Sequence, residues 1–460
     1  MAESRDPAPV VTALIAVGLA DRLSLDDSAL HSTRSDQSGH RSAGAPVGIV
    51  TPQSTAEVQD VMRAASATRT PVVVRGAGTG LAGAAVAGPG ELVLSTAALD
   101  RLLSVSPVDG YAIVQPGILN GRLNELLEPY GVWFTPDPAS RAISTVGGNI
   151  ATNAGGLLCV KYGVTRDSVL GLSVVLADGE LLTLGRRTIK GVTGLDLTAL
   201  FVGSEGTLGV IVEATVKIVP LVRSEVRTIR ADFVDEDAAA RACAAIGASG
   251  LRPAVLEMLG GSAVAAIVAY RRGFTNSARE PAATVILQVD GAGAVAEAET
   301  ASAILAAGGG TVTLAESSVA GEDLLTFRRE FHPAMAMLGT VLIEDVCVPR
   351  SRLSAMFGHI HTIEKRYNIV IPTVAHAGDG NLHPNFTYQG EEVPDVIWAA
   401  AGDLFEAALG EGGTLTGEHG VGLLKKRWLE RELGPVQRDV QNQIRAVFDP
   451  QGLMNPGKAS

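Results

Sequence analysis

Arg75-Gly-Ala-Gly-Thr-Gly-Leu-Ala-Gly83 directly follows the apolar run Val72-Val-Val74 and contains Gly78-x-Gly80-x-x-Gly83, the spacing of a dinucleotide fingerprint. That fingerprint needs a helix opening at its last glycine and leading to a parallel strand. The next apolar run, Leu92-Val-Leu94, begins soon after Gly83, and Gly88-Pro-Gly90 breaks the interval. A parallel crossover takes roughly a dozen residues or more, usually as a helix. The run also ends in Ser95-Thr96, without the acidic residue that grips a ribose. A nicotinamide-binding fold is therefore excluded. What remains is a glycine-rich loop whose backbone N–H groups are free to hold phosphate oxygens.

Upstream of this loop, Ile49-Val50 reads as a short strand, and Ser54-x-x-Glu57 is a capping box opening a helix from Thr55 to Ala67. With Val72–Val74 these form a βαβ unit. Residues 1–44 read as one amphipathic helix, Val10 to Ala20, and a polar loop, Ser35 to Gly44, with order beginning at Pro46.

The whole chain bounds the reading. Its 460 residues exceed one ordinary core, so two domains are expected. A net charge of −12 excludes the basic footprint of a nucleic-acid binder. Three cysteines, Cys159, Cys243 and Cys347, are far apart and odd in number, which fits a reducing compartment without disulfides and provides no iron–sulfur pattern. No run approaches the ~20 apolar residues of a membrane span, and Val10 to Ala20 lacks the basic flank of a signal peptide. The expected location is cytoplasmic, with peripheral contact at the inner face of the membrane left open.

Downstream of the loop come a strand (Tyr111 to Val114), a helix (Ile118 to Pro129) and a strand (Val132 to Phe134). The run Pro136 to Gly156 is rich in small residues, amides and hydroxyls, a composition that lets backbone approach a large flat ligand. Asp178-Gly179 signals a hairpin between Val169–Leu176 and Glu180–Leu184. Glycines and hydroxyls at Phe201 to Gly209 precede a strand, Val210 to Val219. From Arg223 strand and helix patterns alternate as two βαβ-type repeats, which predicts a second domain. Arg328-Arg329 follows on a helix, then a strand (Val341 to Val348) and a helix (Arg350 to Tyr367). Two or three helices, over Pro394 to Leu409, Leu423 to Leu433 and Val436 to Phe448, finish the chain.

Between them lies Thr373-Val-Ala-His-Ala-Gly-Asp-Gly-Asn-Leu-His-Pro-Asn385. A two-residue type I′ turn at Asp379-Gly380 would pair Gly378 with Asn381, Ala377 with Leu382 and His376 with His383. Their Cβ atoms would then stand roughly 5 Å apart, a separation suited to one metal ion. Asn385 points to the same face as His383. Thr416-Gly-Glu-His-Gly420 offers a third ligand.

Taken together, Arg75-Gly-Ala-Gly-Thr-Gly80, Thr145 to Gly156, Gly203-Ser-Glu-Gly-Thr-Leu-Gly209, the pair His376 and His383 with Gly417-Glu-His-Gly420, and the closing Asn455-Pro-Gly-Lys458 resemble the FAD-linked oxidases and dehydrogenases of the vanillyl-alcohol oxidase type. The branch most alike is that of the D-2-hydroxyacid dehydrogenases, and the resemblance spans about Pro46 to Lys458. It implies an α+β fold: a two-subdomain FAD-binding domain over 45–222, an α/β substrate (cap) domain with an antiparallel sheet over 223–415, and a C-terminal helical segment, 416–460, closing on the flavin. It implies a noncovalent FAD, since relatives that tether the flavin here carry histidine where this chain has Thr79. The implied FAD contacts are Arg75, Gly76, Ala77, Gly78, Thr79, Gly80 and Leu81; Pro136 and Asp137; Thr145, Gly147, Gly148, Asn149, Ala151, Thr152, Asn153 and Gly155; Glu205, Gly209 and Ile211; and Asn455. A divalent metal, most often zinc, is implied on His376, His383 and Glu418, with His419 as base and Arg328 and Asn385 as substrate contacts. Arg329 is the alternative to Arg328.

The lysine of hydroxyglutarate-type relatives falls near Ile343, and Asp345-Val-Cys-Val-Pro349 resembles the D-lactate branch. The implied activity is oxidation of a small D-2-hydroxyacid, D-lactate-like or D-2-hydroxyglutarate, with electrons passed to a quinone, a cytochrome, an electron-transfer flavoprotein or an iron–sulfur subunit. The alternative is the FAD subunit of a glycolate oxidase complex. A homodimer is a further expectation.

Overall fold

The computed structural model describes residues 8–221, 225–272, 281–390 and 392–459. They fall into two compact units: residues 1–154 with Val164–Leu221 and Glu418–Ser460, and Gly155–Gly163 with Val222–Gly417. Residues 155–163 thus group with the second unit, and the later boundary falls after Gly417 rather than before Thr416.

In the first unit a four-stranded sheet runs in the order Leu23–Ser24, Gly48–Val50, Leu92–Ser95, Val72–Arg75. Leu92–Ser95 lies parallel to both Gly48–Val50 and Val72–Arg75. A parallel crossover therefore exists where the spacing seemed too short. It spans all of 76–91, and a loop makes it without any helix, so the nicotinamide fingerprint is still excluded. Order also begins well before Pro46. Leu23–Ser24 pairs with Ile49 and Val50, and helix Pro9–Ala16 packs Val10, Val11 and Leu14 into the core of helix Thr55–Thr68, beside Val58, Val61, Met62 and Ala65. That helix is capped as expected: the Ser54 hydroxyl accepts from the Glu57 N–H at 3.2 Å.

A five-stranded antiparallel sheet follows, in the order Leu102–Ser106, Tyr111–Val114, Val210–Lys217, Val169–Val175, Leu181–Gly185. The Asp178-Gly179 hairpin is present, with the Leu176 N–H donating to the Glu180 carbonyl at 2.9 Å. The run after Pro136 holds a helix that its composition hid, Val146–Thr152. Its apolar signal is only Val146 and Ile150, four apart and both buried. Thr145 caps its start, accepting from the Gly148 N–H at 3.2 Å, and Asn153 ends it at φ 52°. At the C-terminus two helices lie within Leu429–Phe448, parted at Gly434 (φ 68°) and Pro435, where the break between Leu433 and Val436 is expected.

The second unit is built on an antiparallel sheet in the order Thr311–Leu314, Val226–Phe233, Ala283–Asp290, Val255–Gly260, Thr373–His376, Asn381–Tyr388, Thr340–Ile343, with Val346–Cys347 also on Asn381–Tyr388. The two repeats are split, because Ala283–Asp290 sits between Val226–Phe233 and Val255–Gly260. Helices Gly261–Arg272, Ser318–Arg329 and Phe331–Ala336 share a core with Val255, Leu259, Ile286 and Val374.

Candidate functional site

Strand Val255–Gly260 is buried at every position, yet it carries Glu257, which has no exposed surface. An ionised carboxylate inside a sheet must be paired. Glu257 is paired twice. One oxygen meets His376 Nδ1 at 2.7 Å, and the other accepts from Arg328 Nε at 2.7 Å. Burial alone would raise its pKa, but the charges and hydrogen bonds of His376 and Arg328 outweigh burial and lower it. This carboxylate was missed at the sequence level. Its only signal was a lone charge within the run Val255-Leu-Glu-Met-Leu259.

Sheet register explains the meeting. Glu257 stands directly opposite His376, and His376 opposite Asn381. The type I′ turn expected at Asp379-Gly380 does not form. Only Gly380 has positive φ (82°), and the His376 carbonyl accepts from both the Asp379 and the Gly380 N–H groups at 3.0 Å. The connection is a four-residue loop, Ala377 to Gly380, and the register is shifted by two: His383 faces Val374, not His376. A shift of two keeps every side chain on its face. The imidazoles are diagonal neighbours, with ring centroids 5.0 Å apart and planes at 83°. Ring nitrogens of the two histidines lie within 4.8 Å of one another.

A second buried carboxylate braces the other strand. Asp345, with no exposed surface, accepts from Asn381 Nδ2 and from the Thr416 hydroxyl, each at 2.6 Å, and lies 3.9 Å from His383 Nδ1. Asn385 shares the face of His383, and its amide donates to the His383 carbonyl at 2.9 Å. Ile343 is its direct cross-strand partner. The two arginines part company: Arg328 is buried on Glu257, whereas exposed Arg329 pairs with Glu322. The chain returns to this row at Gly417, where a Cβ would stand 2.4 Å from Asn381 Nδ2. Glu418 and His419 follow as the first residues of a segment belonging to the first unit.

In the first unit, none of the backbone N–H groups of Gly76 to Leu81 donates to an acceptor among the described residues. Arg75 shapes this loop from beneath, its guanidinium donating to the Ala85 carbonyl at 2.6 Å and the Ser35 carbonyl at 3.0 Å. Gly76 abuts the capping residue of the hidden helix, for a Cβ there would meet Thr145 Oγ1 at 2.4 Å. The loop and the helix carrying Gly147, Gly148, Asn149, Ala151 and Thr152 thus lie side by side. Asn149 Nδ2 is buried with no hydrogen-bond partner among the described residues.

Other expected FAD contacts hold the chain together. Asn455 is buried, donates to the Ala84 carbonyl at 3.0 Å and the Glu205 carbonyl at 2.7 Å, and accepts from Lys458 at 2.8 Å. A Cβ on Gly209 would strike Val174 at 2.6 Å, so that glycine serves packing. Burial lowers the pKa of Lys458 to about 8. Pro136 accepts from Asn120 Nδ2 at 2.9 Å, and Asp137 is buried. Gly155 falls in the second unit, while Asn153 and Ile211 are part of the first.

One unit thus carries a glycine-rich loop with N–H groups to spare, and the other a polar row on an antiparallel sheet, features that suit a flavin-dependent oxidoreductase. Residues 46–185 match the model of an FAD binding domain, and residues 222–459 that of FAD linked oxidases, C-terminal domain. A glycolate oxidase subunit of Bacillus subtilis is 39% identical over 420 residues, covering 90% of this chain and 88% of the relative. A D-lactate dehydrogenase of Archaeoglobus fulgidus is 34% identical, covering 89% of this chain and 90% of its own. The solved structure of p-cresol methylhydroxylase, of the vanillyl-alcohol oxidase type, shares the fold with a TM-score of 0.80 at 16% identity, covering 98% of this chain and 96% of that one. The chain belongs to the FAD-linked oxidases.

Proposed function

We propose that this protein oxidises a small D-2-hydroxyacid, D-lactate-like or glycolate in size, to the 2-oxoacid, using noncovalent FAD and a divalent metal on His376, His383 and Glu418. The observation that carries the reading is the double engagement of Glu257. A carboxylate on Nδ1 orients an imidazole and leaves Nε2 for a metal, the usual second partner of a ligating histidine. The same carboxylate, on Nε of Arg328, leaves the outer edge of the guanidinium fork for a substrate carboxylate. Gly417, the sequence neighbour of Glu418, rests on Asn381 of the histidine hairpin.

The unspent N–H groups of Gly76 to Leu81 and the unpartnered Asn149 amide suit the phosphates and polar edge of FAD. The flavin supplies a two-electron acceptor, and the metal an electrophile that acidifies the 2-hydroxyl by several pKa units. The chain does the rest. Arg328 forks the substrate carboxylate, Asn385 borders it, and His419 takes the hydroxyl proton. Ile343, opposite Asn385, stands near where the resemblance expects the lysine of hydroxyglutarate-type relatives, which supports a monocarboxylate over D-2-hydroxyglutarate.

The acceptor in this reading is a quinone, a cytochrome, an electron-transfer flavoprotein or an iron–sulfur partner. A second reading, the FAD subunit of a glycolate oxidase complex, is favoured by the 39% identical relative. Among the described residues no helix is long and apolar enough to cross a membrane. We place the protein in the cytoplasm or peripherally at the inner membrane face, as a homodimer or within such a complex. Anaerobic titration of the flavin-loaded protein with D-lactate, glycolate and D-2-hydroxyglutarate tests the reading. Bleaching by a monocarboxylate is expected; an unchanged spectrum with all three would overturn it.

A further inference from the structure

We propose that Glu205 is a positioning residue that fixes the turn carrying Glu418 and His419 in its working shape. Every contact concerned lies within the first unit. Glu205 is buried, and its two oxygens accept from the consecutive N–H groups of Val421 and Gly422, each at 2.8 Å. Two successive amides aimed at one carboxylate form an anion nest, here filled by the protein's own side chain. The turn fits no other way. Gly420 has φ 84° and a Cβ there would stand 3.0 Å from the Glu205 carboxyl carbon; Gly422 has φ 49° and a Cβ there would meet the Ala82 carbonyl oxygen at 2.1 Å.

Glu205 is itself immobilised. It is a non-glycine residue at φ 51°, a sparsely used conformation. Its N–H donates to the Ala151 carbonyl of the hidden helix at 2.8 Å, and its carbonyl accepts from Asn455 at 2.7 Å. One residue thereby ties the helix bearing Asn149 and Ala151 to the segment that begins with Glu418 and His419. Apart from the backbone amides, the charged groups acting on it are Lys425, which favours its ionised form, and Asp36, which opposes it.

A catalytic pair on a turn needs such a device, since a misplacement of about 1 Å costs on the order of 100-fold in rate. The inference rests on the roles proposed for Glu418 and His419, so its test includes a readout independent of them. Glu205→Gln keeps the volume but sets an NH2 against a backbone N–H. In the FAD-loaded variant, flavin reduction by the hydroxyacid, counted per bound flavin, should slow roughly 10- to 100-fold, with the half-saturating substrate concentration shifted less than about threefold. Amide hydrogen exchange in the peptide 418–424 should accelerate at least about tenfold, while 146–152 changes less. Should the variant fold poorly, Glu205→Asp, which keeps the charge but draws the carboxylate back by one methylene, should show the same loosening in 418–424. A variant with reduction within about twofold of wild type and unchanged exchange in 418–424 would overturn the proposal. If no hydroxyacid bleaches the wild-type flavin, the functional reading fails, and the exchange result still decides the role of Glu205.

Discussion

Glu257 and Glu205 are both buried, and their surroundings treat them in opposite ways. Within the antiparallel sheet of the second unit, Glu257 is gripped by His376 and Arg328, and cationic partners hold its pKa down despite burial. In the turn of the first unit, Glu205 meets the amides of Val421 and Gly422, and burial wins, raising its pKa to about 7. Full charges offset desolvation where backbone dipoles only soften it. The first arrangement commits an anion to orienting side chains. The second leaves a carboxylate near its titration point while it shapes a loop.

The comparison breaks most readily at the reacting end. Replacing His419 with Ala should lower the flavin reduction rate by roughly 10²- to 10⁴-fold, the range for a lost general base, with the visible flavin spectrum intact. Normal reduction kinetics would remove His419 from the mechanism. On the cationic side, Glu257→Ala strands Arg328 in the interior and should cost roughly 3–5 kcal/mol in denaturant unfolding. It should also weaken zinc binding about 10- to 100-fold, because His376 loses its orienting partner. Unchanged stability and metal content would mean that Glu257 clamps nothing.

On the dipolar side the sign is opposite. The folded pKa of Glu205, about 7, lies above its ordinary value, so its contribution to stability is full at acid pH and is lost as pH rises through about 7. Comparing unfolding midpoints across that window, Glu205→Gln should flatten the decline, and an identical slope in the variant would contradict the assignment. The smallest effect is expected at Thr145→Ala, which removes the cap of the helix under the glycine loop and should cost about 1 kcal/mol in the unfolding free energy.

What was legible in the chain depended on which signals have a period. The shared face of His376 and His383 follows from strand alternation and survives a register shift of two, which keeps each side chain on its face; the shift arises because Asp379 stays out of the left-handed region and only Gly380 enters it. The hairpin at Gly179 (φ 87°) shows the same economy. Helix Val146–Thr152 escaped notice because glycine, threonine and asparagine hide helical period, leaving two apolar residues to carry it. Glu257 and Asp345 escaped because a single acid in an apolar strand has no pattern of its own. Their meaning depends on partners far along the chain, Arg328 and Thr416 among them. The parallel pairing of Leu92–Ser95 with Val72–Arg75 was obscured by measuring the crossover from its last glycine instead of from the end of the strand.

In the proposed reading Glu257 presents His376 to a metal and Arg328 to a hydroxyacid. Anaerobic absorption of the flavin-loaded protein on addition of D-lactate or glycolate, before and after metal chelation, tests it most directly. Bleaching that chelation abolishes and zinc restores is expected. Full bleaching in metal-free protein, or none with metal bound, would contradict it.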